Sequence, residues 1–261
     1  MLSIFKPGDR IVVGKNIYGG TYSLFNEYFA ERGLEFDSVD TADYEALDAA
    51  ISGRDRGGRA ASAVYFETLT NPLLQISNVN RISAIAHRYG ALSIVDNTFV
   101  TPYLQQPLDL GADIVIHSAT KYLAGHSEVN AGLVVVLDDE VGNGIYFAQN
   151  RFGGVLAPTE CNDVRRGIQT LALRMECQQR NAQAVAEYLL AHPLVRAVHY
   201  PGVYGDATVC SPRMDSRGSA ACCPSKWCRG STRPSCSTTC TCSISPSVWA
   251  RWKALPSCHA A

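Results

Sequence analysis

Short apolar runs alternate with helical stretches along most of this chain, and this alternation constrains the fold more than any other feature. Helical spacing is clearest over residues 78–89, after which Gly90 supplies a stop. Residues 161–191 are mostly helical, and a shorter helix follows Thr21, which we expect to be its N-cap. The runs with strand character are 10–15, 61–67, 91–95, 113–116 and 133–137. Strands that alternate with helices favour an α/β fold whose mainly parallel sheet is covered on both faces.

Length, composition and charge exclude several classes of protein. The chain has 261 residues, 46% of them hydrophobic, which suffices for one large α/β domain and a smaller appendage. A formal net charge of -1 argues against nucleic acid or an anionic membrane as a partner. There is no apolar run of membrane-spanning length, and the N-terminus lacks the layout of a signal peptide. We therefore expect a soluble, cytoplasmic protein.

Polar residues follow three of the predicted strands at the point where each strand ends. These are Glu67, Asp96 and the group from Ser118 to Lys121. Ligands of parallel sheets bind beyond the carboxyl ends of the strands, which lie at one edge. We therefore predict that the three clusters form one site.

The residues near this edge include each group that a pyridoxal-phosphate (PLP) site needs. Lys121 can form a Schiff base, and Asp96 can hold the pyridine nitrogen protonated so that the ring acts as an electron sink. Ser118 and Thr120 offer hydroxyls to a phosphate, and Tyr18 offers a ring for stacking. Taken singly, however, such residues are more often turn, cap or surface residues, and His117 and His126 fit structural roles. Spacing and composition alone therefore predict an α/β enzyme with a site near 96–121.

Longer motifs around these residues carry a family resemblance. The most specific is HSATKYLAGHS at 117–127; ETLTNP at 67–72, VDNTF at 95–99, YGGT at 18–21 and RGIQTLALRM at 166–175 match further segments. From about residue 1 to about residue 205 the chain resembles the PLP-dependent transsulfuration enzymes. This family includes cystathionine synthases and lyases, methionine γ-lyases and homoserine-ester sulfhydrylases. The resemblance implies the large domain of a fold-type-I PLP-dependent transferase with a mainly parallel sheet.

The resemblance also implies a role for each site residue. Lys121 is the Schiff-base lysine and later the proton shuttle, and Asp96 pairs with the pyridine nitrogen. Tyr18 stacks on the ring and assists as an acid or base. The residues implied in binding the rest of the cofactor are Ser118 and Thr120 for the phosphate and Asn71 near the phenolic oxygen. The substrate is then an amino acid, the reaction breaks or makes a carbon–sulfur bond, and the subunits form dimers or tetramers.

Two departures from the family pattern bear on this expectation. Family members have a Ser-Gly-Met phosphate loop and a Tyr-x-Arg segment ahead of the part matched here, and neither motif is present. The second departure is the tail at 206–261, which is rich in Cys, Ser and Pro and has no Asp or Glu after Asp215. We expect this tail to result from translation in a shifted reading frame, which leaves the small C-terminal domain incomplete or disordered. Its cysteines lack paired C-x-x-C knuckles, so we predict no metal site.

The sequence therefore predicts a PLP-binding large domain over 1–205, including the start of a connection to a small domain, and an aberrant tail over 206–261. The expected function is cystathionine lyase or synthase chemistry on cysteine, cystathionine or homoserine esters. Gly20 stands where methionine γ-lyases share a cysteine, which disfavours that activity. The competing hypothesis is a non-catalytic remnant with weak or no PLP binding. A dinucleotide-binding oxidoreductase is disfavoured because no glycine fingerprint follows the first strand.

Overall fold

The computed structural model describes residues 1, 3–54, 57–201 and 239–242, and these residues build a single sheet. The strands are β1 (Arg10–Gly14), β2 (Glu35–Val39), β3 (Ala63–Glu67), β4 (Leu92–Asp96), β5 (Ile114–Ser118), β6 (Gly132–Val136) and β7 (Thr239–Cys242). They lie side by side in the order β2-β1-β3-β4-β5-β6-β7.

The sheet is parallel from β2 to β5 and antiparallel at its other end. The pairs among β2, β1, β3, β4 and β5 are all parallel, whereas β6 runs antiparallel to both β5 and β7. All residues of β1 and of β3 are buried, as expected for parallel strands that are covered on both faces. The predicted α/β fold with a mainly parallel sheet is therefore confirmed.

Helices and shorter helical turns connect the strands. The helices are α1 (Gly19–Ser23), α2 (Tyr44–Ser52), α3 (Val79–Arg88), α4 (Thr101–Leu104), α5 (Asp139–Phe152), α6 (Pro158–Gln169) and α7 (Leu171–Leu190). A π-helical turn over Leu24–Phe29 extends α1 and is followed by a 3-10 turn over Ala30–Arg32; another 3-10 turn covers Pro107–Leu110. None of the helices in the described part of the chain is long and apolar enough to cross a membrane.

Local sequence explains the ends of α3. The Asn78 side chain accepts a hydrogen bond from the backbone N–H of Arg81 and so caps the N-terminus. Gly90 follows the last turn with a φ of 70°, a left-handed conformation that glycine adopts without strain. The apolar spacing places one face against the sheet, and the buried residues of that face are Val79, Ile82, Ser83, Ile85 and Ala86.

Two other helix boundaries differ from the sequence prediction. Helix α1 begins at Gly19 with Tyr18 as its N-cap, so the predicted cap at Thr21 is wrong. The backbone N–H of Tyr18 is held by Glu67 of β3, a long-range contact that a local cap motif does not reveal. The helical stretch predicted for 161–191 is divided at Thr170, which ends α6 and precedes α7.

The hydrophobic core lies on both faces of the sheet, with a further cluster beneath the turn after β5. One face is covered by α2 and α3, and the other by the π-helical turn and α5. The further cluster joins the segment after β5 to α6 and α7, through Ala119, Leu123, Ala124, Val129, Leu133, Val164, Leu171 and Met175. This cluster supports the segment that carries Lys121. Apart from Thr239–Cys242, the predicted tail at 206–261 and its boundary lie outside the described residues.

Candidate active site

Strands β3, β4 and β5 bring the predicted site residues to one edge of the sheet. Glu67 lies opposite Asp96 in the β3–β4 pair, and Asp96 lies opposite Ile116 in the β4–β5 pair. Because these strands are parallel and in register, their carboxyl ends emerge together. Ser118 closes β5, and Lys121 follows in the next turn. The structure thus brings the three polar clusters of the sequence to the same edge.

Asp96 is fixed by hydrogen bonds to both of its carboxylate oxygens. Oδ1 accepts the backbone N–H of Thr98 at 2.9 Å, and Oδ2 accepts the hydroxyl of Tyr65 at 3.3 Å. Burial and the charge of Asp96 raise the pKa of Tyr65 well above its usual value, so the phenol stays protonated and remains a donor. These bonds leave acceptor capacity on a carboxylate whose orientation is set.

Glu67 joins the two segments that carry Tyr18 and Asn71. The residue is only 6% exposed; Oε1 accepts the backbone N–H of Tyr18 at 2.6 Å, and Oε2 accepts that of Asn71 at 3.3 Å. Burial, followed by the nearby charge of Asp96, raises the pKa of Glu67 to about 7, although the two N–H donors oppose the shift. Glu67 therefore holds two predicted site residues through their backbone.

The two hydroxyl residues predicted to bind phosphate differ in their present contacts. The backbone N–H of Ser118 donates to Thr98 Oγ1 at 2.7 Å, and no hydrogen bond engages the Ser118 hydroxyl within the described residues. The Thr120 hydroxyl, in contrast, donates to Ala131 O at 3.3 Å and accepts from Ala131 N–H at 2.9 Å. Thr120 thus ties the end of β5 to the approach to β6.

Lys121 lies in a hydrogen-bonded turn after β5. The backbone N–H of Gly125 donates to Lys121 O at 2.8 Å, and that of Ala124 donates to Ala119 O at 2.9 Å. The Lys121 side chain is exposed, and its ammonium group has no hydrogen-bond or ion-pair partner in the described part of the chain. A lysine that is held at its backbone and free at its tip can reach a ligand at the sheet edge.

The two histidines of the motif have structural surroundings. His117 is 4% exposed, and burial lowers its pKa to about 4, so the ring is neutral near pH 7. His126 lies within 2.8 Å of the carbonyl oxygen of Ala124 through its Nδ1. These surroundings agree with the structural roles expected for both residues.

Sequence reasoning missed three residues that support the site, namely Tyr65, Thr98 and Arg174. Tyr65 lies two residues before Glu67 on the same strand, so period-two alternation signals that both point to one face. Thr98 contacts Asp96 and Ser118. Arg174 donates to the backbone carbonyls of Tyr122 and Leu123, and it offers no local signal because the contact spans more than fifty positions of the chain.

The side chains near this edge that lack a hydrogen-bond partner among the described residues supply the kinds of group that PLP binds. Tyr18 is 56% exposed, and Tyr18, Asn71, Ser118 and Lys121 have no side-chain hydrogen-bond partner among the described residues. They supply an aromatic face, an amide, a hydroxyl and an amine, beside the oriented carboxylate of Asp96. PLP offers matching groups: a ring, a phenolic oxygen, a phosphate, an aldehyde and a ring nitrogen. The arrangement therefore suits this cofactor.

Comparisons with known proteins agree with the geometry. The family pattern of the "Cys/Met metabolism PLP-dependent enzyme" matches residues 1–215. The chain is 48% identical over 203 residues to cystathionine beta-lyase of Lactococcus lactis, an alignment that covers 78% of this chain and 52% of the relative. It is 46% identical over 202 residues to cystathionine gamma-lyase of Bacillus subtilis, with coverage of 77% and 52%.

A solved structure shows the same fold. Cystathionine gamma-lyase of Lactobacillus plantarum, crystallised with L-serine, superposes with a TM-score of 0.75 at 45% identity, covering 79% of this chain and 52% of that one. The chain thus spans about half the length of the proteins to which it is similar. The family pattern covers most of the chain, and both relatives share more than two fifths of the aligned residues. The chain therefore belongs to the Cys/Met metabolism PLP-dependent enzyme family.

Proposed function

We propose that this chain binds PLP through Lys121 and performs carbon–sulfur bond chemistry on an amino acid, as a cystathionine lyase or synthase does. The observation that carries the proposal is the division of labour at the sheet edge. The side chains of Tyr18, Asn71, Ser118 and Lys121 have no hydrogen-bond partner among the described residues, whereas the buried Glu67 holds the backbone of two of them. Thr98 holds the backbone of Ser118 and, with Tyr65, orients Asp96. Such a pre-oriented set of free groups is typical of a binding site whose ligand completes it.

Bound PLP would act as an electron sink for substrate bonds at the α-carbon. Asp96 would accept a hydrogen bond from the pyridine nitrogen, because Thr98 and Tyr65 already fix its orientation. The Lys121 amine would hold the cofactor in the resting enzyme and, once released, would take the substrate's α-proton. Tyr18 would cover one face of the ring and exclude water from it.

Phosphate and phenolic-oxygen contacts would come from the remaining predicted residues. The free hydroxyl of Ser118 can donate to a phosphate without losing another bond. Thr120 would first have to release its 3.3 Å bond to Ala131 O, so we expect it to contribute less. The Asn71 side chain is exposed and can donate its amide hydrogens to the phenolic oxygen.

The substrate is proposed to be cystathionine, cysteine or a homoserine ester. Identities of 48% to a beta-lyase and 46% to a gamma-lyase are too close to choose between the two activities. A β-carbon added at Gly20 would lie 2.6 Å from Cε1 of Tyr18, so a larger residue there would displace the ring. Gly20 therefore suits the observed position of Tyr18, which agrees with the prediction against a methionine γ-lyase.

The absorbance spectrum of the purified protein with added PLP tests the proposal. We expect a visible band from PLP joined to Lys121, which is lost in Lys121→Ala and kept in Lys6→Ala, a control at an exposed lysine away from the site. Release of keto acid from cystathionine or cysteine would then define the activity. Folded protein that shows neither band nor turnover would instead support the alternative of a non-catalytic remnant.

We also propose, from the family resemblance, that the protein is cytoplasmic and forms homodimers or homotetramers. Light scattering after size-exclusion chromatography would measure the assembly, and a monomeric mass at micromolar concentration would contradict it.

A further inference from the structure

Arg174 makes an unusual set of contacts at the start of α7. Its guanidinium donates through Nη1 to Tyr122 O at 2.7 Å, and through Nη2 to Gly167 O at 2.7 Å and Leu123 O at 3.4 Å. Nε donates to Thr170 Oγ1 at 3.0 Å. One side chain thus connects the turn that carries Lys121 with the junction of α6 and α7.

Two of the three contacted carbonyls, those of Tyr122 and Leu123, have no other hydrogen-bond donor among the described residues. In the turn from Ala119 to Gly125, the backbone bonds use the carbonyls of Ala119 and Lys121 and leave those of Tyr122 and Leu123 to Arg174. Gly167 lies in the last turn of α6, where carbonyls attract positive charge. Its oxygen also accepts the backbone N–H and the hydroxyl of Thr170, each at 3.2 Å. Since no carboxylate pairs with Arg174 among the described residues, these carbonyl dipoles and the Thr170 hydroxyl are its counterparts. Burial correspondingly lowers the pKa of Arg174.

Close packing brings α6 against the same turn. A β-carbon at Gly167 would overlap the carbonyl oxygens of Ala124 and Leu123, and one at Gly125 would overlap the guanidinium of Arg174. Gly125 also has a φ of 80°, which favours glycine. Both glycines are therefore needed for helix, turn and guanidinium to approach so closely.

From these contacts we infer that Arg174 is a positioning residue that sets the direction in which Lys121 leaves the sheet edge. The inference rests on the proposed function, because the position of Lys121 matters to catalysis only if it binds PLP. Among the described residues, the side-chain hydrogen bonds of Arg174 all go to backbone carbonyls and to the Thr170 hydroxyl, not to a predicted site side chain. Arg174 donates to the carbonyls of the two residues that follow Lys121 directly. Loss of these hydrogen bonds would let the turn rotate and would move Lys121 with it.

Hydrogen exchange of the full chain without PLP tests the inference independently of catalysis. In Arg174→Ala we expect the amides of Ala124 and Gly125 to exchange at least about tenfold faster, because two carbonyls lose their donors. Arg174→Lys retains the charge but not the planar fork, and should give a smaller increase of the same kind. Arg180→Ala removes an exposed arginine of the same helix and should change nothing in this turn. Equal exchange in Arg174→Ala and Arg180→Ala would overturn the inference.

A second perturbation approaches the turn from α6. Gly167→Ala should also accelerate exchange at Ala124 and Gly125, although Arg174 is unchanged, because the added methyl group displaces the turn. Gly154→Ala is the matched control, since a β-carbon there meets no atom within 4 Å. Exchange in Gly167→Ala that matches this control would contradict the close packing on which the inference depends.

The absorbance spectrum with PLP and the steady-state kinetics test whether Arg174 affects the function of Lys121. In Arg174→Lys we expect the pH midpoint of the visible band to shift and kcat to fall by about 10- to 100-fold, with little change in KM. Parent protein without a band would reject the proposed function, while the exchange data would still decide whether Arg174 holds the turn. A parent band whose midpoint and kcat are unchanged in both Arg174 variants would reject the positioning role alone.

Discussion

Two buried ionisable residues near the edge of the sheet have pKa values displaced in opposite directions. Burial disfavours the charged form of each, which raises the pKa of Glu67 to about 7 and lowers that of His117 to about 4. Between about pH 4.5 and 6.5 the two groups affect the free energy of unfolding with opposite signs. The two contributions therefore oppose each other in the pH dependence of the parent protein's free energy of unfolding. Variants at each single position are needed to separate them.

We expect the buried Glu67 to make the parent protein less stable as pH rises, and Glu67→Gln to abolish this dependence. Folded Glu67 has its pKa raised to about 7 and keeps its proton up to that pH, whereas in the unfolded chain it loses the proton near the ordinary glutamate pKa of 4.5. The free energy of unfolding therefore falls across this window, by about 3 kcal/mol at most, and the variant should lack that fall. Urea denaturation at pH 5 and pH 8 measures the difference. A parent-minus-variant difference that is the same at both values would refute the assignment.

His117→Gln should show the reverse dependence. In the folded protein the pKa of His117 is lowered to about 4 and the ring stays neutral down to that pH, whereas in the unfolded chain it binds a proton below the ordinary histidine pKa of 6.5. Stability from this residue is thus complete above pH 6.5 and is lost as pH falls towards 4, by about 3 kcal/mol. Denaturation at pH 7.5 and pH 5 should show a smaller decline in the variant. An equal decline in the parent and in the variant would contradict the assignment.

At the scale of elements, helix α7 supports the site by packing beneath the Lys121 turn. Met175 is 4% exposed in the cluster that contains Leu123 and Ala124, whereas Leu173 of the same helix is 71% exposed. We expect Met175→Ala to lower the free energy of unfolding by about 2–4 kcal/mol through the cavity it leaves. Leu173→Ala should change it by less than about 0.5 kcal/mol. Chemical denaturation compares the pair, and similar losses would mean that the two positions are packed alike.

Elements with local signals could be predicted from sequence, and those set by distant contacts could not. Asn78 and Gly90 mark the ends of α3 by cap chemistry that lies within the helix's own sequence. The start of α1 was mispredicted because its N-cap, Tyr18, is held by Glu67 from another element. The division at Thr170 escaped prediction for a different reason, since the helical apolar spacing of Val164, Ile168, Leu171 and Met175 continues across it.

In the candidate site, too, features set by the local sequence were predicted, and features set by distant contacts were not. Strand ends predicted that Glu67, Asp96 and the Lys121 group would meet, because parallel strands align their carboxyl ends. The support from Tyr65 and Arg174 depends on how the strands and helices pack, and so it becomes visible only in the structure. The roles assigned to individual side chains toward PLP stay predictions.

At the scale of the whole molecule, PLP should act as a stabilising ligand of the folded state. A ligand that binds the folded protein and not the unfolded chain adds about 2.7 kcal/mol when its concentration is a hundred times its Kd. For a folded region of this size, such a gain raises Tm by about 5–10 °C. The predicted site residues lie at or just after the ends of β3, β4 and β5 and at the start of α1, so binding there would couple elements across the sheet. Unfolding of one strand would therefore release the ligand.

Thermal unfolding with and without excess PLP measures this coupling. The parent protein and Lys6→Ala should gain the same Tm increase, whereas Lys121→Ala should lose most of it together with the visible band. Ser118→Ala should lose part of the increase, because the free hydroxyl of Ser118 is the predicted phosphate donor. An equal increase in the parent and Lys121→Ala would mean that PLP binds elsewhere, since PLP can react with any exposed lysine. A graded loss from Ser118→Ala to Lys121→Ala would instead locate binding at the carboxyl ends of β3, β4 and β5, which lie together at one edge of the sheet.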